Sequence, residues 1–391
     1  MRKYLYLSSL VLVLLLCIAF MNSVSMIVQA IGEVTATPAP EEPGDNTGTE
    51  EVDIQTLLDE GLADLEDGNF RSAISKMDIV LEIDPEIALA YAIRAIAHIQ
   101  LSQLDDAIND FSSAIELEPW SIDYYIFRGD TYGLQGEFVD ALLNYDMAID
   151  INPLSADVYN RRSQINFELG DNDAGDTDDL IARGLGAVGT GDILIALDFL
   201  TEAIDSTHNN EVLASIYYVR GITYLNTSDQ NAAIEDFTLA IEADPTLHNS
   251  YLARGISYRQ NGNMQAAGQD FFDRITTHGA ETIEIASEMG AQLDIDMAYR
   301  RVYAISFEGQ AGQEVTISAR DFGGTFIDPL IAVVDPNGVA IAGDDDFGGA
   351  LDSEIDNFEL PEDGTYTLYV SHAEGGYNFG FQGIVRVNID G

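Results

Sequence analysis

Apolar residues along the 391-residue chain are spaced in three successive ways. Residues 4–20 form a nearly unbroken apolar run behind Arg2 and Lys3. From Ile54 to Arg274 the spacing is helical, as in Ile79, Val80 and Ile83 or Phe111, Ala114 and Ile115, which predicts helices that each bury one face. From about Ala280 the period falls to two. Val302, Ala304 and Ser306 alternate with Tyr303, Ile305 and Phe307; Val315, Ile317 and Ala319, then Tyr366, Leu368 and Val370, alternate with polar neighbours. Turn sequences separate these runs at Gly309 to Gly312, Asp335 to Gly338 and Pro361 to Gly364. About eight short strands are predicted, enough for a small antiparallel sandwich.

The helical stretch repeats itself with a period of 34 residues. Arg94, Arg128, Arg162, Arg220 and Arg254 are each followed by a small residue: Ala95, Gly129, Ser163, Gly221 and Gly255. Four after the arginine stands Tyr132, Tyr224 or Tyr258, with His98 and Asn166 in the other copies. Thirteen after it comes Ala107, Ala141, Gly175, Ala233 or Ala267, and twenty after it Ala114, Ala148, Ala182 or Ala240. Pro119, Pro153 and Pro245 close three windows, and an earlier copy without the arginine reads Gly61, Ala73, Pro85. Small residues at two depths of a fixed period predict a helix, a tight turn, a second helix and a proline break, stacked on the next copy. These columns resemble the tetratricopeptide repeat over residues 54–279, a little over half of the chain. The resemblance implies a superhelix with an interaction groove rather than a reaction centre.

One interval is short. Between Ser163 and Gly221 lie 58 residues where two periods need 68. Residues 172–187 fit both the second helix of one unit, through Asp178 and Ala182, and the first helix of the next, through Arg183 and Gly184. A deletion that fused two helices is predicted, with an irregularity at residues 170–195 loosened by Gly184, Gly186, Gly189 and Gly191.

The arginine column invites a reading as a row of cations gripping a partner's carboxylates. Sixteen residues later, however, stand Asp110, Asp178, Asp236 and Asp270, with Asn144 in the remaining copy. A cation that repeats in step with an acid predicts an internal ladder tying each first helix to its second. Partner contacts are then expected on the inner face of the first helices, at Asn160, Gln164, Tyr218, Ile222 and Arg259.

In the last third, the run Gly309 to Ile317, Asp328-Pro-Leu-Ile331, Asp335 to Gly338, Gly343 to Asp346 and Leu360 to Leu368 resembles the bacterial pre-peptidase C-terminal domain. The resemblance covers residues 283–389 and implies an accessory module at the end of exported proteins, often beside peptidases; no peptidase domain precedes it here. The fold expected for the whole is multidomain: an all-α tetratricopeptide-like superhelix, then an all-β antiparallel sandwich, jelly-roll-like, over residues 280–391.

Charge narrows the partners. Asp and Glu number 67 against 17 Lys and Arg, a formal net charge of -50, and only Lys3 and Lys76 are lysines. Such a chain repels nucleic-acid phosphates and anionic lipid. Residues 1–32, with the apolar run and the small-residue pattern at Val28-Gln29-Ala30, are expected to be an export signal, or an uncleaved membrane anchor. Residues 33–53, rich in Pro, Thr and Glu, are expected to be a disordered linker. Cys17 is the sole cysteine, so a processed chain has no disulfide and no thiolate chemistry.

Candidate chemistry is sparse. Asp328, Asp344, Asp345, Asp346, Asp352 and Asp356 crowd the sandwich loops, and the first five are the candidate ligands for calcium, a cation that takes six to eight oxygens. No Asp-x-Asp-x-Asp-Gly loop accompanies them, and turn aspartates also bond their own backbone. His98, His208, His248, His278 and His372 are scattered and form no zinc spacing. No nucleophile elbow or phosphate loop occurs, and no residue is singled out as catalytic. The sequence points to a non-catalytic, extracytoplasmic scaffold: the groove takes a protein or peptide, and the sandwich attaches to an envelope or extracellular partner. An envelope hydrolase such as a peptidase, or its accessory subunit, is the alternative.

Overall fold

The computed structural model describes residues 53–278, 281–297, 301–322, 327–345, 352–373 and 383–391. The expected export segment, the linker up to residue 52, and Asp346 lie outside these. No helix among the described residues is long and apolar enough to cross a membrane. The chain divides into two compact units, one of residues up to Ile151 with Gln164–Gly170, the other of Asn152–Ser163 with Asp171–Gly391.

In the first unit six helices form three antiparallel pairs: α1 (Ile54–Glu66) with α2 (Phe70–Ile83), α3 (Ala88–Gln100) with α4 (Leu104–Leu117), and α5 (Ile122–Gln135) with α6 (Phe138–Ile151). The stack opens at Asp53, whose carboxylate accepts from the backbone N–H of Gln55 at 3.1 Å and so satisfies one of the donors a helix start leaves unpaired. The small-residue columns are where the helices touch. Ala73, Ala107, Ala114, Ala141 and Ala148 are fully buried, and Met77 of α2 and Tyr145 of α6 pack directly on Gly61 of α1 and Gly129 of α5. Phe111 of α4 stacks on Phe127 of α5 at 5.8 Å, so the core runs from one pair into the next.

Helix α7 (Ala156–Leu169) is shared, its residues from Gln164 falling in the first unit; the second unit holds the rest of it with α8 (Asn172–Thr190), α9 (Ile193–Ser206), α10 (Asn210–Leu225), α11 (Gln230–Ala243), α12 (His248–Gln260) and α13 (Met264–His278). The short interval is occupied by α8, which has 19 residues where the other helices have 13 to 16. It plays both predicted parts in succession. Near its start Asp178 binds Arg162, as a second helix should; further along, Leu200 of α9 packs so closely on Gly184 that a Cβ there would stand 2.9 Å from it, as on a first helix. The glycines do not interrupt it: the helix runs through Gly184, Gly186 and Gly189 and ends at Gly191, whose φ of 83° is the left-handed geometry that glycine permits.

Nine strands follow among the described residues: β1 (Glu281–Ala286), β2 (Gln292–Met297), β3 (Arg301–Gly309), β4 (Glu314–Asp321), β5 (Pro329–Val334), β6 (Ala340–Asp344), β7 (Ser353–Glu359), β8 (Gly364–His372) and β9 (Gly383–Asp390). They form a five-stranded sheet, β1-β3-β8-β5-β6, and a four-stranded sheet, β2-β9-β4-β7. All pairings are antiparallel except β1 with β3, which differs from the all-antiparallel expectation. The parallel pair arises because β2, which joins β1 to β3, crosses to the other sheet and returns. Ile305, Phe307, Ile331, Val333, Leu368 and Val370 fill the interior against Val315, Ile317, Val385 and Val387. Phe307 stacks on Tyr366 there at 5.7 Å.

The five-stranded sheet is buried on its outer face too. Every residue of β5 is buried, and Val302, Tyr303, Ala304 and Ile305 are buried in succession on β3. The cover is the last helical pair. Ala267, Phe271 and Ile275 of α13, with Leu252 of α12, form one cluster with Val302, Leu330, Ala332 and Ala373 of the sheet, and Phe272 meets Tyr369 edge-on at 5.1 Å. The unit therefore ends in three layers: helices, sheet, sheet.

Candidate binding face of the repeats

The predicted ladder is present. Arg94 reaches Asp110, Arg162 reaches Asp178, Arg220 reaches Asp236 and Arg254 reaches Asp270 through two parallel bonds each, Nε and Nη2 to the two carboxylate oxygens at 2.7–3.0 Å. Most also hold the pair before them. Nη1 of Arg94 bonds Asp78 at 2.7 Å, that of Arg128 bonds Ser112 at 3.1 Å, that of Arg220 bonds Thr201 at 3.2 Å and that of Arg254 bonds Thr238 at 3.1 Å. One guanidinium thus ties its own helix pair together and pins it to its neighbour. A further column completes the arrangement. Three residues before each arginine stands Tyr91, Tyr125, Tyr159, Tyr217 or Tyr251, with its ring 5.4–5.9 Å from the guanidinium carbon. This regular signal is present in all five copies, and the sequence reading passed over it.

The one copy without an acid shows what the acid does. Burial depresses the Arg128 guanidinium, whose partner Asn144 accepts a single bond at 2.8 Å. Burial acts the same way on Arg220 and Arg254, but Asp236 and Asp270 outweigh it and hold both above the ordinary range. The arginines are therefore structural and do not form a row of cations for a partner. Arg183, on the fused helix, has no acid at the ladder position; it pairs with Asp179 one turn back at 3.4 Å and lies over Phe199 at 4.1 Å.

The five residues expected to meet a partner have different fates. Asn160 and Gln164 are exposed, one turn apart on α7, and Ile222 is half-buried on α10. Tyr218 is in the core, 8% exposed, with its ring 5.9 Å from Phe237. Its aromatic bulk turns the position from surface to packing. Burial pushes the Tyr218 phenol up to about 12, with nearby Arg274 opposing weakly. Because the folded value lies above the ordinary 10.0, this group's stabilisation is complete below pH 10 and is lost as pH rises toward 12. Tyr218→Phe is accordingly expected to lessen alkaline unfolding by up to about 2.7 kcal/mol while changing little at neutral pH, which chemical unfolding at both pH values would measure.

Arg259 meets a partner within the chain. Its Nε stands 2.7 Å from Oδ1 of Asp344, and the other carboxylate oxygen accepts from the backbone N–H of Glu354 at 2.7 Å. One residue expected to bind a partner and one expected to bind calcium are thus joined to each other. Among the rest of the candidate calcium set, the backbone carbonyl of Asp328 accepts from Ala373 and that of Asp345 from Ser353, while the Asp352 carboxylate accepts from the backbone N–H of Asp321 at 3.3 Å. Among the described residues no three acidic, histidine or cysteine side chains are grouped to hold a metal ion. Of the candidate set, the Asp344 carboxylate is taken by Arg259 and the backbone of Glu354, and that of Asp352 by the backbone of Asp321.

Repeat register relates these positions. Asn160, Tyr218 and Leu252 are equivalent, as are Gln164, Ile222 and Ile256, each counted from the small residue Ser163, Gly221 or Gly255. In the last copy Leu252 is buried with the sheet, Ile256 packs against that cluster and Arg259 holds Asp344. The last repeat thus meets the chain's own sandwich mainly through its second helix α13, and through Arg259 of its first.

Comparison with known proteins identifies repeats in two stretches of the helical part. Tetratricopeptide-repeat family models match residues 58–119 and 214–247. No curated protein matches the chain. Similar solved structures include a tetratricopeptide repeat protein from Parabacteroides merdae, at 17% identity, covering 57% of this chain and 93% of that one with a TM-score of 0.30. MamA is similar at 16% identity, covering 56% and 93% with a TM-score of 0.28. The first such domain of RPAP3 (Spaghetti), bound to an HSP90 peptide, is similar at 20% identity, covering 30% and 93% with a TM-score of 0.29. Tetratricopeptide repeats are therefore present at residues 58–119 and 214–247, the helical pairs between and after them carry the same arginine and small-residue columns, and a β-rich region of two sheets follows.

Proposed function

We propose that the protein is a non-catalytic scaffold of the extracytoplasmic space, in which the repeats bind a protein or peptide through the inner face of their first helices. One observation carries this reading. In the last repeat the first helix already holds a protein surface through the ion pair of Arg259 with Asp344, and earlier in the array, on α7, Asn160 and Gln164 are exposed. A first helix that grips a sheet at one end of an array has the chemistry to grip a segment elsewhere in it. The sandwich, which we regard as of the pre-peptidase C-terminal kind, closes the array and carries the attachment to an envelope or extracellular partner. The apolar N-terminal run supplies the export signal or anchor for that location.

The test uses the intact chain, because cutting near residue 280 would uncover Leu252, Phe271 and Ile275. A photo-reactive amino acid at position 164 is expected to cross-link a discrete protein from the source cells, and Asn160→Arg is expected to abolish the product. Cross-linking that is equal at position 164 and at Glu235 of α11, on a second helix, would remove the groove reading and leave the hydrolase alternative.

A further inference from the structure

The outer surface of α6 departs from the rule that the other repeats obey. Val139, Leu143 and Met147 lie at i, i+4 and i+8 on this helix and are 64%, 58% and 45% exposed. In register, the second helix of the preceding pair has Asp105, Asn109 and Ser113 at these places, and that of the last pair has Gln265, Gln269 and Asp273. The other copies have at most one apolar residue among Arg71, Ser75 and Ile79, among Asn231, Glu235 and Leu239, or among Leu194, Asp198 and Glu202. Solvated second-helix positions in this array are therefore polar by habit, and only α6 presents three large apolar side chains in a line roughly 12 Å long. The internal core needs none of them, since Ala141, Tyr145, Ala148 and Ile149 already face inward and are buried.

We infer that this stripe is a second docking surface, and that its occupant is an amphipathic helix with apolar residues on one side and Lys or Arg at its borders. Charge selects that occupant. Helix α6 contains no cationic residue; Glu137 and Asp140 stand at its start, and the chain as a whole carries a net charge of -50. A second copy of the chain would bring the same sign of charge to the contact, which like-charge repulsion disfavours. A cationic helix brings the opposite sign, and its apolar residues at i and i+4 match the spacing of Val139, Leu143 and Met147. The stripe is on α6 and the positions Asn160 and Gln164 are on α7, so each is tested by its own substitutions and either can fail without the other.

The test is fluorescence anisotropy of the intact protein with two labelled synthetic helical peptides of equal charge, one of Lys and Leu with its leucines along one face, the other with Ser in place of Leu. The Lys/Leu peptide is expected to bind, the Lys/Ser peptide to bind at least about tenfold more weakly, and Leu143→Gln to weaken the former by about tenfold, as loss of one buried leucine requires. Val139→Gln should act in the same direction, and neither exposed substitution should change the helical circular dichroism. Equal binding of the two peptides, or binding untouched by both substitutions, would mean a non-specific polyanion and would overturn the inference. So would a dimer of the unliganded chain that Leu143→Gln converts to a monomer, since the stripe would then be covered by a second copy.

Discussion

Gly268→Ala is expected to destabilise the end of the protein, although the same substitution inside an exposed helix ordinarily stabilises by about 1 kcal/mol. A Cβ at Gly268 of α13 would stand 2.7 Å from the backbone nitrogen and carbon of Ala342 and 2.8 Å from its oxygen. Backbone of β6 cannot yield as a side-chain tip can. Gly343, on the same strand, faces the same contact, with its own Cβ position 3.2 Å from the Gly268 Cα. Helix and strand therefore touch backbone to backbone, and an inserted methyl forces them apart. Overpacking of this kind costs typically about 1–3 kcal/mol, which exceeds the gain in helix propensity, so the net sign should be unfavourable. Gly268→Leu should be far worse, since it needs room for a whole side chain and separation would expose Phe271, Leu330 and Ala332 together. Chemical unfolding followed by circular dichroism measures the first effect; a split into two transitions would mark the second.

The arginine ladder yields the other large effect. Asp236→Ala leaves the Arg220 guanidinium, only 16% exposed, beside Thr201 and two tyrosine rings but without its acid. Removing one partner of a buried pair costs about 3–5 kcal/mol, because the remaining charge stays desolvated. Asp236→Asn should cost about half as much or less, for the third repeat already works that way: Asn144 accepts from Arg128 and in turn donates to the Asp140 carbonyl at 2.7 Å. Arg220→Met combined with Asp236→Ala should recover most of the loss, since no charge is then stranded. If the alanine variant unfolded at the same denaturant concentration as the asparagine variant, the ladder would be decoration rather than a tie.

The internal geometry of each repeat was legible because it is periodic. A contact that recurs leaves a column, and the pairing of Arg94 with Asp110 or Arg254 with Asp270 was visible as two columns sixteen apart. The tyrosine three before each arginine was equally visible and was overlooked in favour of the more variable one four after it. Contacts that occur once leave no column. Arg259 and Asp344 are far apart in the chain and belong to different periodicities, so spacing could not bring them together. Even so, one trace was present. Counted thirteen after the small residue, the second helices read Ile74, Ile108, Leu142, Leu197 and Ile234, with Asp176 on the fused helix, then Gly268. A glycine where five other copies are bulky and apolar marks something arriving from outside the repeat. The strands told the same story indirectly: β3 and β5 are buried on both faces, which blurs the two-residue alternation of an ordinary sandwich sheet.

This arrangement assigns the sandwich a structural task in addition to any attachment. An array of stacked helical pairs ends in an uncovered apolar face unless something caps it. Here Leu252, Phe271 and Ile275 are covered by Val302, Leu330 and Ala332, so the cap is a separate fold rather than a polar last helix. Arg259 of the last repeat is thereby engaged within the chain, and the exposed candidates Asn160 and Gln164 lie on α7, before the fused helix α8.

Native-state hydrogen exchange tests this central claim most directly. If the sandwich is the cap of the array, backbone amides of α12, α13 and β5 open together at one free energy, because none of them retains its cover without the others. Separate openings, with α13 exchanging at the level of the preceding repeats and β5 at a different one, would show that the two folds are merely adjacent and would contradict the account.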